Sequence, residues 1–362
     1  MIRLALLCAA IGFVSPVWAG EATSTEPELL LSLSLEVGSE PGNAAAIAGR
    51  LQRTHLFRDG DAIDITQRFS ALRKEMIAKY NAPVAWLVFS AVSHELRMGD
   101  YQQFITAEKK LSTGQAGYRN VWAWQTRRGV FGVGWGAEAL RIDSTAGIAP
   151  YLADYVAREG RTSHGIPIFA LWSYDRRDAN SLLPAGHLNQ LSVEWGTPLG
   201  NTTYTKIDAT HESYWRFGSR VSAGMTLTAG SARGNRGHLT PIGKRYYGGG
   251  VGSVRGYESG SLGPVDSSGA TMGADLMLVG NAEVLWHAFN IGPTPILLSV
   301  FADHGRFQRA EGSAVDRASA ASRGVGISVP MSFGIARFFF ADPNRDNGRG
   351  QRFQFDVRGN WK

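Results

Sequence analysis

Val221-Ser-Ala-Gly-Met-Thr-Leu-Thr-Ala-Gly230 follows a period of two residues. Val221, Ala223, Met225, Leu227 and Ala229 alternate with Ser222, Gly224, Thr226 and Thr228. Side chains on a β-strand point to opposite faces in turn, so this segment carries one apolar and one polar face. The same period appears at both ends of the chain. In Leu29 to Val37 every odd position is apolar, while Ser32, Ser34 and Glu36 occupy even ones. Phe353, Phe355, Val357 and Trp361 alternate with Arg352, Gln354, Asp356, Arg358 and Asn360.

A soluble sandwich shows the same alternation, so length, charge and punctuation must choose between sandwich and membrane barrel. Many of the alternating segments run to ten residues or more, close to the roughly 9–11 needed to cross a bilayer and longer than the usual soluble strand. Full charges stand at mid-strand on the polar face: Lys206, Asp208 and Glu212, then Asp275 and Glu283, then Asp356 and Arg358. A sandwich core would not tolerate them, whereas a wet lumen does. Small residues interleave with large ones in Phe131-Gly-Val-Gly-Trp-Gly136, as a curved, closed sheet requires. Trp122, Trp124, Trp172, Tyr174, Trp195, Tyr214, Trp215, Trp286 and Trp361 fall near strand ends, where interfacial girdles lie. Glycine makes up 44 of the 362 residues and charged residues only 19%, which suits an outer face given to lipid. The net charge of +6 is spread without a Lys/Arg block, so no nucleic-acid partner is indicated.

Strands are expected over 29–37, 44–54, 61–71, 75–83, 85–97, 101–112, 128–142, 163–176, 187–198, 201–214, 217–230, 272–288, 295–304, 320–330, 332–341 and 351–361. That makes an all-β, sixteen-stranded antiparallel transmembrane β-barrel over 29–362, with residues 113–128 as a candidate extension of a neighbouring strand. An even strand number puts both termini on one side, the periplasmic one in a bacterial outer membrane. The long connections 143–162, 231–271, 305–319 and 342–350 all follow odd-numbered strands, while 214–217 and 330–332 follow even ones and are tight. Residues 148–158 are suited to a short helix capping the rim.

Arg3 followed by the apolar run Leu4 to Val14 and the small residues ending at Ala19 reads as a signal peptide over 1–19. The single cysteine, Cys8, lies inside it, so the mature chain is expected to lack cysteine. Residues 20–28 form a short polar periplasmic segment, with no folded domain expected ahead of the barrel.

The longest connection contains Lys244-Arg-Tyr-Tyr-Gly-Gly-Gly-Val-Gly-Ser-Val-Arg-Gly-Tyr257-Glu-Ser-Gly-Ser-Leu-Gly-Pro264. Its glycines have no Gly-Lys-Ser/Thr ending and no βαβ context, so they are not a nucleotide loop. The stretch resembles the sixth external loop of the BamA/TamA outer-membrane barrels, the bacterial surface antigen family. Val254, Arg255, Gly256 and Tyr257 match its VRGF/Y motif. Asp175 to Gly186 looks like the family's periplasmic turn before the ninth strand. Gly280 to Trp286 is similar to its twelfth strand, and Phe301-Ala-Asp-His-Gly305 matches its FxDxG motif. Phe353 to Trp361 resembles the closing strand, and Leu33 to Pro83 the opening ones.

The resemblance implies that the loop folds back into the lumen, where its arginine pairs with acids on the inner wall. Strand parity agrees: Leu276, Leu278, Val284 and Trp286 share the lipid face, which turns Glu283 inward, and Ile296, Leu298 and Val300 do the same for Asp303. Arg255 is therefore expected to fork to Glu283 and Asp303, as Lys would not. Such a fork either locks the loop in place or serves as an ordinary lumenal ion pair. The family also implies that Phe353, Phe355 and Trp361 form a C-terminal assembly signal, although Lys362 follows the terminal aromatic, and that the first and last strands meet at a lateral gate or a permanently zipped seam. Family members carry POTRA domains ahead of the barrel, and none is expected in residues 20–28.

No Gly-x-Ser-x-Gly elbow, His-Glu-x-x-His helix or grouped Ser/His/Asp set is present, so neither an enzyme nor a cofactor or metal site is expected. The implied function is insertion or translocation of proteins at the outer membrane, with outer-membrane lipid, client barrel proteins or a separate periplasmic protein as partners. The alternatives are a passive gated pore, a structural barrel, or a surface-exposed binding protein using loops 143–162 and 305–319.

Overall fold

The computed structural model describes residues 29–38, 45–86, 88–106, 109–143, 149–178, 181–311, 314–331, 334–344 and 348–361. The expected signal peptide and the segment 20–28 lie outside them. The strands are β1 (Leu29–Gly38), β2 (Ala45–Thr54), β3 (Ala62–Ser70), β4 (Arg73–Trp86), β5 (Phe89–Phe104), β6 (Lys110–Thr126), β7 (Gly129–Ile142), β8 (Thr162–Gly165), β9 (Pro167–Asp175), β10 (Gly186–Gly196), β11 (Tyr204–Phe217), β12 (Val221–Gly234), β13 (Leu276–Ile291), β14 (Thr294–Glu311), β15 (Ala314–Met331), β16 (Gly334–Pro343) and β17 (Phe353–Trp361). Each pairs antiparallel with its chain neighbour, and β17 returns to β1 to close the sheet. Strands β8 and β9 both pair with β7 in one continuous register, Glu138 with Gly165 and Trp135 with Ile168. They are two parts of one stave interrupted at Ile166, so the barrel has sixteen staves among the described residues.

Closure abolishes free edges and leaves the outward face apolar. Trp135, Ile168, Val193, Trp195, Ile207, Leu227, Leu278, Val284, Val300, Val325 and Phe340 are all exposed on it. On a soluble protein this would be an aggregation surface, whereas on a membrane barrel it is the lipid contact. Inward positions on the same strands carry Glu75, Glu95, Asp208, Glu212 and Asp303, all buried. Among the described residues no helix is long and apolar enough to cross a membrane.

Several boundaries differ from those expected. The segment 101–112 is not one strand: β5 runs on to Phe104, a turn follows, and β6 occupies Lys110–Thr126. Residues 305–319 are not a loop, because β14 extends to Glu311 and β15 starts at Ala314. Their charges obscured an alternation that continues past the lipid-facing part. Ile296, expected on the lipid face, is buried next to the register irregularity between His287 and Phe289.

Helix α1 (Pro150–Glu159) stands on the rim opposite the chain termini, with Pro150 in its first turn and Gly160 at its C-cap. Its Tyr151, Leu152 and Tyr155 pack against Leu239, Ile242 and Met272. A second cluster joins Val254, Tyr257 and Leu262 to the wall residues Met277, Val279, Phe307 and Ala320. The apolar core therefore forms around segment 235–275, which enters the lumen between β12 and β13.

Candidate functional site: the loop held in the lumen

Two cations of segment 235–275 reach carboxylates on the wall, each in its own cluster. At the first, Lys244 ends a 3-10 turn (Ile242–Lys244) and places its Nζ 2.7 Å from Glu138 on β7 and 2.6 Å from Glu194 on β10. The ammonium also lies 4.8 Å from the centroid of the Tyr204 ring. The Tyr204 hydroxyl reaches Glu138 at 2.6 Å and Glu194 at 2.5 Å, and Arg119 donates to Glu194 at 2.9 Å. Burial pulls the Lys244 pKa down, but the charges of Glu138 and Glu194 more than offset this, and the net direction is up. The ammonium is thus charged as it crosses the lumen. A cavity of about 290 Å³ adjoins this cluster, lined by Glu95, Arg97, Lys206 and Asp208 among others.

The second place is Val254-Arg-Gly-Tyr257. Arg255 donates from Nε to Asp303 Oδ2 at 2.8 Å and from Nη2 to Asp303 Oδ1 at 2.8 Å, a planar fork that matches the carboxylate. Its Nη1 donates to Glu283 Oε2 at 2.7 Å, and its backbone N–H to Asp303 at 3.0 Å. The Asp303 side chain has no exposed surface, so these donors stand in for water around it. The guanidinium carbon lies 3.6 Å from the centroid of Phe301 and 5.1 Å from that of Phe339, and these two rings meet edge to face. Cation–π attraction grows when water is excluded, as it is here. Burial lowers the Arg255 pKa, but the Asp303 hydrogen bond and the Glu283 charge outweigh it and the net shift is upward.

Gly256 has φ +88°, and a Cβ there would lie 2.9 Å from the Ala341 Cβ. Both facts require glycine. Its N–H donates to Gln354 Oε1 at 2.9 Å, and Gln354 Nε2 returns a bond to the Tyr257 carbonyl at 2.8 Å. The Tyr257 hydroxyl donates to the carbonyls of Asn344 and Ala321. Earlier in the run, the tip of the Phe307 ring meets Gly248, where any side chain would collide with it. Asn281 Nδ2 donates to the Ser253 carbonyl at 2.7 Å.

The structure therefore brings Arg255 to Glu283 and Asp303, and Gly256 and Tyr257 to the closing strand. Phe353 and Phe355 do not join them. They face outward and pack on Phe340 and Phe338, at centroid distances of 4.9 and 6.4 Å. The Trp361 backbone pairs with Leu33, while its side chain and Lys362 lie outside the described residues. Three contributors were missed in the sequence. Phe301 and Gln354 stood inside quoted motifs without a role, and Lys244 opened the quoted run. Parity would have marked Gln354 as inward, but nothing in the spacing links Lys244 to Glu138, more than a hundred residues away. Among the described residues no group of His, Cys, Asp and Glu is placed to hold a metal ion.

Comparison with known proteins matches the Omp85 superfamily domain to residues 102–361. The outer membrane protein assembly factor BamA of Neisseria meningitidis serogroup B is 30% identical over 189 residues, which is 47% of this chain but only 23% of the relative. Among solved structures, BamA from Haemophilus ducreyi lacking POTRA domains 1–3 superposes with a TM-score of 0.80 at 15% identity, covering 93% of this chain and 71% of that one. CdiB from Escherichia coli gives 0.62 at 12% identity, covering 93% and 64%. These structural likenesses speak for the fold, and the domain match speaks for the lineage. The chain belongs to the Omp85 superfamily, as an outer-membrane β-barrel.

Proposed function

We propose that this barrel takes part in inserting other barrel proteins into the outer membrane, or in moving proteins across it, with both of its termini in the periplasm. The observation that carries this reading is the grip of Val254-Arg-Gly-Tyr257 on β17. Gln354 on that strand bonds to Gly256 and Tyr257, and the Gln351 N–H donates to the Gly256 carbonyl at 2.7 Å. The last strand is thus held from inside, whereas among the described residues β1 meets it along the ladder from Leu33 with Trp361 to Gly38 with Asp356. A barrel built this way parts most cheaply between β1 and β17 while its lumen stays organised. The role of Arg255, Glu283 and Asp303 is to fix the loop so that it braces β17. The kinship with BamA, an assembly factor, supports the same reading.

Depletion of the protein, followed by measurement of other barrels in the outer membrane, tests it. Client abundance should fall several-fold, and unchanged client levels would rule the reading out. A passive pore is the second reading, favoured by the charged cavity beside Lys244. Large, steady conductance in a planar bilayer would support it, since a lumen crossed by the loop passes only small, erratic currents.

A further inference from the structure

The outer wall carries a cationic ladder on β14 and β15. Outward positions on β14 hold His304 and Arg306, and those on β15 hold Arg317, Ser319 and Arg323, all exposed. The register interlocks them: Arg306 stands opposite Ser319, Arg317 opposite Gln308, His304 opposite Ala321, and Arg323 opposite Ala302. Basic side chains therefore zigzag between two adjacent strands at the spacing of diagonal neighbours, roughly 7–8 Å. Neither Arg306 nor Arg317 has an ion-pair partner among the described residues, and Arg323 meets Asp342 only at 3.9 Å, with both side chains mostly exposed. Elsewhere on the outward face near this rim, Lys74, Lys110 and Arg141 stand on separate strands.

The surroundings say what this ladder faces. Val300 and Val325 are direct partners immediately below it and are 56% and 52% exposed. On the other flank, Leu278 stands opposite Arg306 and Leu276 opposite Gln308, both exposed. A soluble acidic partner would gain nothing from these leucines and valines, whereas a lipid uses both halves. Its acyl chains lie on Leu278, Val300 and Val325 while its headgroup phosphates reach the guanidinium groups. Arginine is the residue suited to such phosphates because its fork donates in pairs.

We propose that the outer face of β13–β15 is a binding site for a phosphorylated lipid of the leaflet on the loop side, with Arg306 and Arg317 as its main phosphate ligands and Arg323 and His304 flanking them. The lipid sits on the reverse of the wall whose inner face carries Asp303 and Phe307. The side chains that recognise it point away from the loop, so the site is separable from the Arg255 cluster.

The test uses the full chain folded in a zwitterionic detergent and titrated with diphosphoryl lipid A, with phosphatidylcholine and inorganic phosphate as separate arms. Saturable binding of lipid A, with no binding in the other two arms, is expected. The double variant Arg306→Gln, Arg317→Gln should weaken that binding at least tenfold, and Arg141→Gln, on β7, should leave it unchanged. Heat-modifiable gel mobility reports folding for every variant, and Arg306→Gln alone serves if the double variant does not fold. Unchanged affinity in the Arg306 variants overturns the proposal, as does an equal loss in Arg141→Gln. Inorganic phosphate binding as tightly as lipid A overturns it too, since the site would then not recognise a lipid.

Discussion

Arg255 concentrates the energetics of the site in one side chain. Removing it leaves the Asp303 carboxyl group, which has no exposed surface, without its fork, and Glu283 without its donor. Breaking a buried pair in this way costs about 3–5 kcal/mol, more than the pair contributes against an apolar replacement of both partners. Arg255→Ala should therefore make segment 235–275 sensitive to protease and reduce the yield of folded barrel, while normal values of both would show that the fork has no structural role. Arg255→Lys should behave nearly as badly, because one ammonium cannot serve both oxygens of Asp303 and Glu283 together, nor lie flat on Phe301. Gly256→Ala tests the adjacent position by a different route. Its left-handed backbone and the contact with Ala341 both disfavour a Cβ, at a combined cost on the order of 1–3 kcal/mol. Chemical denaturation should show that loss while the Arg255 ion pairs remain.

At the scale of elements, the two cationic tethers of the loop, Lys244 and Arg255, should fail separately. Lys244→Met removes the tether to β7 and β10 but leaves Arg119 and Tyr204 on Glu194. Glu138 also keeps some access to water, so the loss should be on the order of 2–3 kcal/mol, below that of Arg255→Ala. Protease cleavage should then appear in residues 235–250 and not around Tyr257. Simultaneous exposure of both regions would mean that the loop behaves as one unit. The turn between β2 and β3 gives a pH prediction. Burial acts to raise the Asp61 pKa, but the Tyr80 hydroxyl and the N–H groups of Phe57, Leu56 and Arg58 outweigh it and hold it below the ordinary aspartate value. A lowered folded pKa means that the contribution is complete above the unfolded value near ~3.9 and is lost as pH falls through the folded one. Amide exchange at Leu56 to Arg58 should accelerate only in that acidic window, and Asp61→Asn should flatten the profile. These elements also show what alternation could reveal. Strand parity was enough to turn Glu283 and Asp303 inward, because Glu283 stands at odd spacing from Leu278 and Val284, and Asp303 at odd spacing from Leu298 and Val300. It failed for residues 305–319, where the outward face changes from valine to arginine, and in 113–126, where Gly114, Gly117 and Asn120 interrupt the apolar rhythm. There the outward face carries arginine, asparagine or glycine, and the chemical contrast that marks a strand disappears.

For the whole molecule, the apolar outer belt and the loop-filled lumen leave the β1–β17 seam as the place where a conformational change would meet least resistance. Hairpin neighbours are joined covalently at a turn, but among the described residues this pair is joined through the backbone ladder from Leu33 to Gly38. Leu35 and Gly359 are direct partners in that ladder. Opposed residues in antiparallel strands have Cα atoms about 4.5–5.5 Å apart, within the span of a disulfide. The chain has one cysteine, Cys8, so Leu35→Cys with Gly359→Cys in a Cys8→Ser background creates an unambiguous pair. Oxidation should join the seam and give a circular species of altered gel mobility. If insertion of a client barrel proceeds through an opened seam, the oxidised protein should insert it at least tenfold more slowly, and reductant should restore the rate. Either single-cysteine variant should show no such dependence on redox state. Equal rates in the oxidised and reduced double variant would mean that the barrel works with its seam closed. The bracing of β17 by Gln354, Gly256 and Tyr257 would then serve the stability of the barrel and not the movement of its first strand.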